Sequence, residues 1–242
     1  LLVFLSCMVS IAQQLSQFTQ YMYNTIAINP AYAGSREALS MVALNRNQWA
    51  GFGGGPKTTT LSIHSPLRNE KVGLGLSFIK DDVGYEDFTS IYADFSYTIQ
   101  GSEALEISFG LKGGVTNYKL DEDLFAQGTG LGDFLEYQSI IDDPYFNEKL
   151  DTWNMNIGAG VLLHTNKWYV GLSLPRIISH DNATSDGHNG LDRVHYYLTG
   201  GYEFNLSETI KFKPAFLMKH VQGAPISNDI TANFLFNEKL WL

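Results

Sequence analysis

Apolar and polar residues alternate with a period of two along most of the chain. From Ile91 to Ile99, every second residue is apolar or aromatic, while Asp94 and Ser96 lie between them. Such alternation predicts β-strands with one apolar face, and no stretch of comparable length keeps the period of an α-helix. About ten runs have this pattern, at residues 39–49, 57–64, 72–80, 88–100, 104–119, 151–164, 167–175, 193–205, 209–220 and 226–237, with an eleventh starting near Leu240.

The connections between the predicted strands fall into two classes of length. Those after even-numbered strands are short, whereas those after odd-numbered strands are mostly longer, the longest spanning residues 120–150 and 176–192. A soluble sandwich gives no reason for this segregation, but outer-membrane barrels have short periplasmic turns and long extracellular loops. The other longer connections are predicted at residues 50–56, 81–87 and 221–225, and the short ones at 65–71, 101–103, 165–167, 205–208 and 237–239.

The two faces of the predicted strands differ in chemistry. One face carries charged and amide side chains interleaved with glycine, and the other is apolar, with aromatic residues near the strand ends. This pattern suits a polar interior and a lipid-facing belt with aromatic girdles. The polar face holds Asp94, Glu106, Lys112, Asn156, Glu203, Lys211, Lys213 and Lys219, and the aromatic residues are Tyr97, Trp153, Trp168, Tyr196, Tyr202 and Phe236.

We therefore predict an all-β fold, a transmembrane antiparallel β-barrel of the outer-membrane type, over residues 39–242. Several runs reach the roughly 9–11 residues that a tilted strand needs to cross a bilayer. The soluble alternative is a secreted lectin-like or jelly-roll sandwich. The predicted location is the outer membrane.

The composition narrows the functional classes. Charged residues make up 17% and aromatic residues 13% of the 242 residues, which argues against a disordered chain. The net charge of −9 argues against nucleic-acid binding. Mean hydropathy is −0.10, and after the first dozen residues the chain lacks the runs of about 20 apolar residues that helical membrane proteins need.

Residues 1–12 are uncharged and apolar, and they fit the core of a secretory signal peptide. Ser10 and Ala12 place small residues at the −3 and −1 positions of a cleavage site, so Gln13 is the expected mature N-terminus. The leader lacks an initiator methionine and a basic region, and we expect it to be partial. Cys7 lies within it in a poor lipoprotein context, so a mature chain without cysteine is expected.

A specific combination of motifs flanks the first predicted strand. It comprises Asn29-Pro30-Ala31-Tyr32-Ala33-Gly34, Arg46-Asn47-Gln48-Trp49-Ala50-Gly51-Phe52 and Gly55-Pro56-Lys57-Thr58. The combination resembles the PorP/SprF family of outer-membrane proteins of the type IX secretion system and gliding machinery. The resemblance covers the leader, the N-terminal region and the strand-rich remainder.

The resemblance implies a non-enzymatic outer-membrane component that assists export or surface anchoring of cargo proteins such as adhesins. The implied partners are the C-terminal signals of cargo and other components of the machine, with the lipid bilayer around the barrel. Residues 13–38 are expected to face periplasmic partners, and the long loops to face cargo. Family barrels are closed, with roughly 14 strands implied, so we expect a sequence truncated at both ends. The alternatives are a passive porin or solute transporter, and a surface adhesin whose loops bind glycans.

The motif residues have structural as well as partner-binding interpretations. Asn29 and Pro30 initiate a turn, because proline holds the preceding residue extended, and Gly34 suits a conformation closed to other residues. This segment is either a cap that seals or plugs the barrel base or a docking surface. Arg46, Gln48 and Trp49 are interpreted as part of an aromatic girdle on the first strand with an anchor for the following loop, in preference to a ligand site. The candidate residues are Asn29, Pro30, Ala31, Gly34, Arg46, Gln48, Trp49, Gly51, Phe52 and Pro56.

No motif indicates catalysis or a cofactor, and we predict that the protein is not an enzyme. The glycine-rich run 51–58 lacks the adjacent Gly-Lys-Ser/Thr of a phosphate loop, and no serine has a G-x-S-x-G context. The acidic loop 120–151 has many oxygen ligands for calcium but lacks the D-x-D-x-D-G spacing, which favours a solvated loop. His180, His188 and His195 lack metal-ligand spacing, and no metal site is predicted.

Overall fold

The computed structural model describes residues 21–49, 55–68, 70–84, 86–101, 104–120, 151–178, 181–183, 189–191, 194–221 and 224–241. These ranges are almost entirely β, apart from two 3-10 helices at Thr25–Ala27 and Pro30–Tyr32. None of their helices is long and apolar enough to cross a membrane. The strands are β1 Ser40–Asn47, β2 Lys57–Pro66, β3 Val72–Val83, β4 Glu86–Gln100, β5 Glu106–Leu120, β6 Asp151–His164, β7 Trp168–Leu174, β8 Asp181–Ala183, β9 Asn189–Leu191, β10 His195–Tyr202, β11 Phe204–Asn205, β12 Ile210–Val221, β13 Ser227–Phe236 and β14 Leu240–Trp241.

One antiparallel meander contains nearly all of these strands. Across the described ranges the sheet has 12 strands in the order β1-β2-β3-β4-β5-β6-β7-β10-β12-β13-β14, with β11 also on β12. The strands β8 and β9 pair only with each other. The all-β antiparallel fold is thus confirmed, and the strand expected near Leu240 is β14. In the part of the chain described, β1 and β14 are edges that do not pair with one another.

Three connections correct the sequence-based prediction. The prediction of a loop over residues 81–87 is wrong, because β3 and β4 stay paired as far as Val83 and Glu86. Asp81 faces the interior and accepts a 2.5 Å hydrogen bond from Thr58, so its charge does not end the strand. The predicted loop 176–192 contains β8 and β9, and each of these strands has only three residues, too few to show alternation. The predicted run 193–205 breaks at Glu203, between β10 and β11.

The polar face of the sheet is the buried one. Asp94, Lys112 and Asn156 are 2–3% exposed, whereas Leu111 and Met155 on the opposite face are 62% and 73% exposed. This distribution is the reverse of that in soluble proteins, which bury apolar side chains. Exposed aromatic residues lie near both ends of the strands, with Trp153 and Tyr196 beside the long connections and Tyr97 and Tyr202 beside the short turns. The outer surface therefore has the apolar belt and aromatic girdles of a membrane-spanning β-sheet.

Contacts made across the polar face show that the sheet curls. In a flat sheet, β2 and β13 would lie eight strand spacings apart, roughly 38 Å at ~4.8 Å per strand. Yet Asn24 bonds to Thr60 on β2, and Tyr21 bonds to Thr231 on β13. Only three peptide units separate Tyr21 from Asn24, and they span at most about 11 Å. The sheet must therefore wrap around this part of the chain, with β2 and β13 facing one another across it.

Candidate functional site

Residues 21–34, which we call the inner segment, lie inside the curled sheet. The Asn29 side-chain oxygen accepts a 3.0 Å hydrogen bond from the backbone N–H of Ala31, and Pro30 begins the second 3-10 helix. Asparagine is a favoured cap, and proline suits the first helical position because no N–H partner is needed there. Gly34 has a φ of +75°, a left-handed conformation that favours glycine. Local sequence thus gives the segment a compact, turned path.

Side chains of the surrounding sheet donate hydrogen bonds to the backbone of the inner segment. A buried carbonyl without a partner costs about 1–3 kcal/mol, and short 3-10 helices leave several carbonyls unpaired. Three strands supply the missing donors. The bonds run from Lys112 Nζ to Ile26 O (3.2 Å), from Ser173 Oγ to Ile28 O (2.7 Å), and from Ser96 Oγ to Ala33 O (2.6 Å).

The two ends of the inner segment are held on opposite sides of the interior. At its C-terminal end, the N–H of Gly34 donates to Nδ1 of His64 at 3.1 Å. At its N-terminal end, Tyr21 packs with Ile28, Tyr197 and Leu217 in a small apolar cluster. Burial raises the pKa of the Tyr21 phenol despite its hydrogen bond to Thr231, so the hydroxyl stays neutral. The segment therefore spans the interior from one wall to the other.

Glycines of four strands make room for the inner segment. A Cβ atom added at Gly110 would lie under 3.0 Å from the backbone of Ala31, and one at Gly73 equally close to Ala33. Asn29 comes as close to Gly160 and Gly171. Glycine inside a strand weakens it and often marks a close approach of another backbone. The sequence pattern showed glycine on the polar face, but only the structure shows that these glycines make room for the inner segment.

A buried ion pair lies beneath the first 3-10 helix. Lys112 Nζ is 2.8 Å from Asp94 Oδ1, and the two side chains are 1% and 0% exposed. They are directly paired residues of β5 and β4. Ser77 also donates to Asp94 at 3.2 Å, and the Lys112 ammonium lies 5.1 Å from the centre of the Tyr92 ring. Because Lys112 also bonds to Ile26 O, the pair joins the sheet to the inner segment.

The candidate motif residues fall into two separate groups. Asn29, Pro30 and Ala31 are buried in the interior, with Gly34 beside His64 near the short-turn end of β2. The second group lies at the far end of β2, where Arg46 pairs with Thr58, roughly 20 Å along the strand from His64. In that hairpin Gln48 N–H donates to Pro56 O at 2.9 Å, and Trp49 is 70% exposed with a φ of +51°. Gly51 and Phe52 lie outside the described residues.

Several other predicted features also lie outside the described residues: the leader 1–12 with Cys7, most of the acidic loop 120–151, and His180 and His188. His195 is buried at the start of β10. Among the residues that the structure describes, no three His, Cys, Asp or Glu side chains are grouped so as to hold a metal ion.

Replacing Asn29 by alanine is expected to lower the free energy of unfolding by about 1–3 kcal/mol. The substitution removes both the cap on Ala31 and a 3.2 Å hydrogen bond from Asn29 Nδ2 to Val161 O. Urea unfolding in detergent, followed by tryptophan fluorescence, measures the change. Asn45→Ala is the control, since its bond to Thr59 is exposed and its loss should change stability by less than about 0.5 kcal/mol.

The fold and its interior define a class of protein: a membrane β-sheet protein with an apolar outer face and a polar interior occupied by its own N-terminal segment. The family model for the type IX secretion system membrane protein PorP/SprF matches residues 10–242. The chain therefore belongs to the PorP/SprF family, as its motifs predicted. A search among curated proteins gave no match.

Proposed function

We propose that this protein is an outer-membrane component of the type IX secretion machinery that assists export or surface anchoring of cargo proteins such as adhesins. Membership of a secretion-system membrane family supports the general role. The apolar outer face with aromatic residues at both strand ends supports placement in the outer membrane, because strands cross that membrane in barrels. We propose a non-enzymatic role and partners that include cargo and other components of the machine.

The observation that favours this role over a passive porin is the inner segment. A diffusion pore needs an open, water-filled lumen, as in large outer-membrane barrels. Here buried residues 24–31 cross the interior, side chains from β5 and β7 bond to their backbone, and a side chain from β4 bonds to the backbone of Ala33. A filled interior suits a protein that binds other proteins at its two ends. The glycan-binding alternative concerns the long loops, most of whose residues are outside the described part of the chain.

We also propose an orientation for the molecule. The short turns face the periplasm and the long connections face the cell exterior, as is usual for outer-membrane barrels. In this orientation residues 24–31 are buried in the interior, and the exposed residues 36–38 that follow the inner segment face the periplasm and other machine components. The loops beyond β5 and β7 face cargo. The leader at residues 1–12 stays a prediction.

Deleting the gene and measuring the surface proteome tests this function. We expect particular adhesins to be lost from the cell surface and to be restored by the wild-type gene. Fractionation of the same cells should place the protein with the outer membrane. Normal export and retention of surface proteins in the deletion strain would overturn the proposal, and normal export combined with a loss of glycan binding would favour the adhesin alternative.

A further inference from the structure

A cavity of about 380 Å³ lies between the inner segment and the sheet at the short-turn end. Its walls are the turn from β6 to β7, the end of β10, and the strands β12 and β13, with residues 22–36 closing the opposite side. We call it the basal cavity. The packing of the inner segment and the apolar outer face do not explain which residues line this cavity, so we consider the chemistry of its lining separately.

The charged groups of the basal cavity leave an excess of positive charge. Lys213 Nζ lies 2.5 Å from Glu203, and Lys211 lies 3.4 Å from the same carboxylate. Partial burial raises the pKa of Glu203, but the bonds and charges of these two lysines outweigh it and hold the pKa below its usual range. Glu203 is therefore ionised and already neutralised by its neighbours.

Two further cations of the cavity have no such partner. In the part of the chain that the structure describes, no carboxylate lies within 4.0 Å of Arg36 or Lys167. Both side chains belong to the cavity wall, in a chain whose net charge is −9. A concentration of unpaired cations in a concave site attracts anionic groups, and more strongly than on a flat surface.

Aromatic rings give the basal cavity a second feature. Arg36 Nε donates to the hydroxyl of Tyr32 at 3.1 Å, which holds the guanidinium beside a ring of the cavity wall. Tyr169 lies on the opposite wall, on β7 two residues after Lys167, and it shares the inner face of that strand with Gly171 and Ser173. Rings of this kind offer rigid contact area at low cost in conformational entropy. Cations combined with aromatic rings suit an acidic polypeptide better than a small inorganic anion.

We propose that the basal cavity binds an acidic, extended segment of a partner protein, whose side-chain carboxylates pair with Arg36 and Lys167. A lipid headgroup is the less favoured ligand, because the cavity opens on the polar side of the sheet and acyl chains would lie on the other side. The inference rests on the proposed function in one respect, because the proposed orientation makes the cavity face the periplasm. The site itself is defined by the residues that line the cavity.

Fluorescence anisotropy with the purified protein in detergent tests the site directly. The probe is a labelled pentapeptide, Gly-Asp-Tyr-Glu-Gly, and its reference is the peptide with Asn and Gln at the acidic positions. We expect the acidic peptide to bind saturably and about tenfold more weakly to the Arg36→Gln/Lys167→Gln double variant. Arg68→Gln is the control, since Arg68 is an exposed cation of the β2–β3 turn at the same end but not in the cavity wall.

Several outcomes would overturn the proposal. These are no saturable binding, equal binding of the neutral peptide, an equal loss in the Arg68→Gln variant, or complete competition by millimolar inorganic phosphate. Binding to phosphatidylglycerol vesicles that depends on Arg36 and Lys167, without peptide binding, would assign the cavity to a lipid headgroup instead. Because no secretion is measured, failure here is distinguishable from failure of the proposed function, which the gene deletion tests.

Discussion

Replacing Lys112 by methionine is expected to lower the free energy of unfolding by about 3–5 kcal/mol. The substitution keeps an unbranched side chain but leaves the fully buried Asp94 without its ion-pair partner. It also removes the hydrogen bond to Ile26 O, so a buried carbonyl of the inner segment loses its donor. Urea unfolding in detergent, followed by tryptophan fluorescence, gives the difference.

Lys213→Met is the matched control for this prediction. It removes the same ammonium from an ion pair with Glu203, but that pair is partly exposed, with side chains 34% and 23% exposed. Exposed pairs contribute at most about 1 kcal/mol, so the control should lose far less stability. Equal losses in the two variants would show that burial of the Asp94–Lys112 pair has no special importance.

Replacing Gly110 by alanine is expected to displace the inner segment. The new Cβ would lie under 3.0 Å from the backbone of Ala31 and Pro30, which cannot move aside as a flexible side chain can. Overpacking of this kind costs about 1–3 kcal/mol. Because β5 is held by continuous pairing on both sides, the inner segment should yield before the strand does. Amide hydrogen exchange of residues 25–33 should therefore become faster.

Gly113→Ala provides a control on the same strand. A Cβ at Gly113 would meet no atom within 4 Å, so the inner segment should keep its wild-type exchange rates. Faster exchange of residues 25–33 in both variants would trace the effect to a disturbed strand rather than to the close contact between position 110 and the inner segment. Unchanged exchange in Gly110→Ala would show that the segment is not held against β5.

Most of the sheet could be predicted from the sequence because each strand signals itself locally. The alternation of apolar and polar residues fixed which side chains share a face, as in β4, where Phe95 and Tyr97 point away from Asp94 and Ser96. The parity of connection length favoured an outer-membrane barrel over a soluble sandwich. The prediction was wrong where polarity seemed to mark a loop, at Asp81, because an inward-facing carboxylate is also polar.

The path of the inner segment could not be predicted, since it depends on contacts with residues far along the chain. Asn29 lies 132 positions from its partner Val161, and Ile28 lies 145 positions from Ser173. Local turn chemistry predicted that Asn29 and Pro30 would bend the chain, but it left open whether the segment caps or plugs the barrel base or forms a docking surface. The glycines that contact the inner segment were an indication of a close backbone approach, because Gly110 and Gly160 lie opposite each other in strands that glycine weakens.

The conductance of the purified protein in planar bilayers tests whether the interior is filled by the inner segment rather than open to solutes. The comparison is a variant that lacks residues 21–34, with its β content checked by circular dichroism. With the inner segment in place, no steady channel conductance is expected from the intact protein, whereas discrete conductance steps are expected from the variant. Equal, steady conductance from both proteins would show that the interior is open and would favour a passive porin.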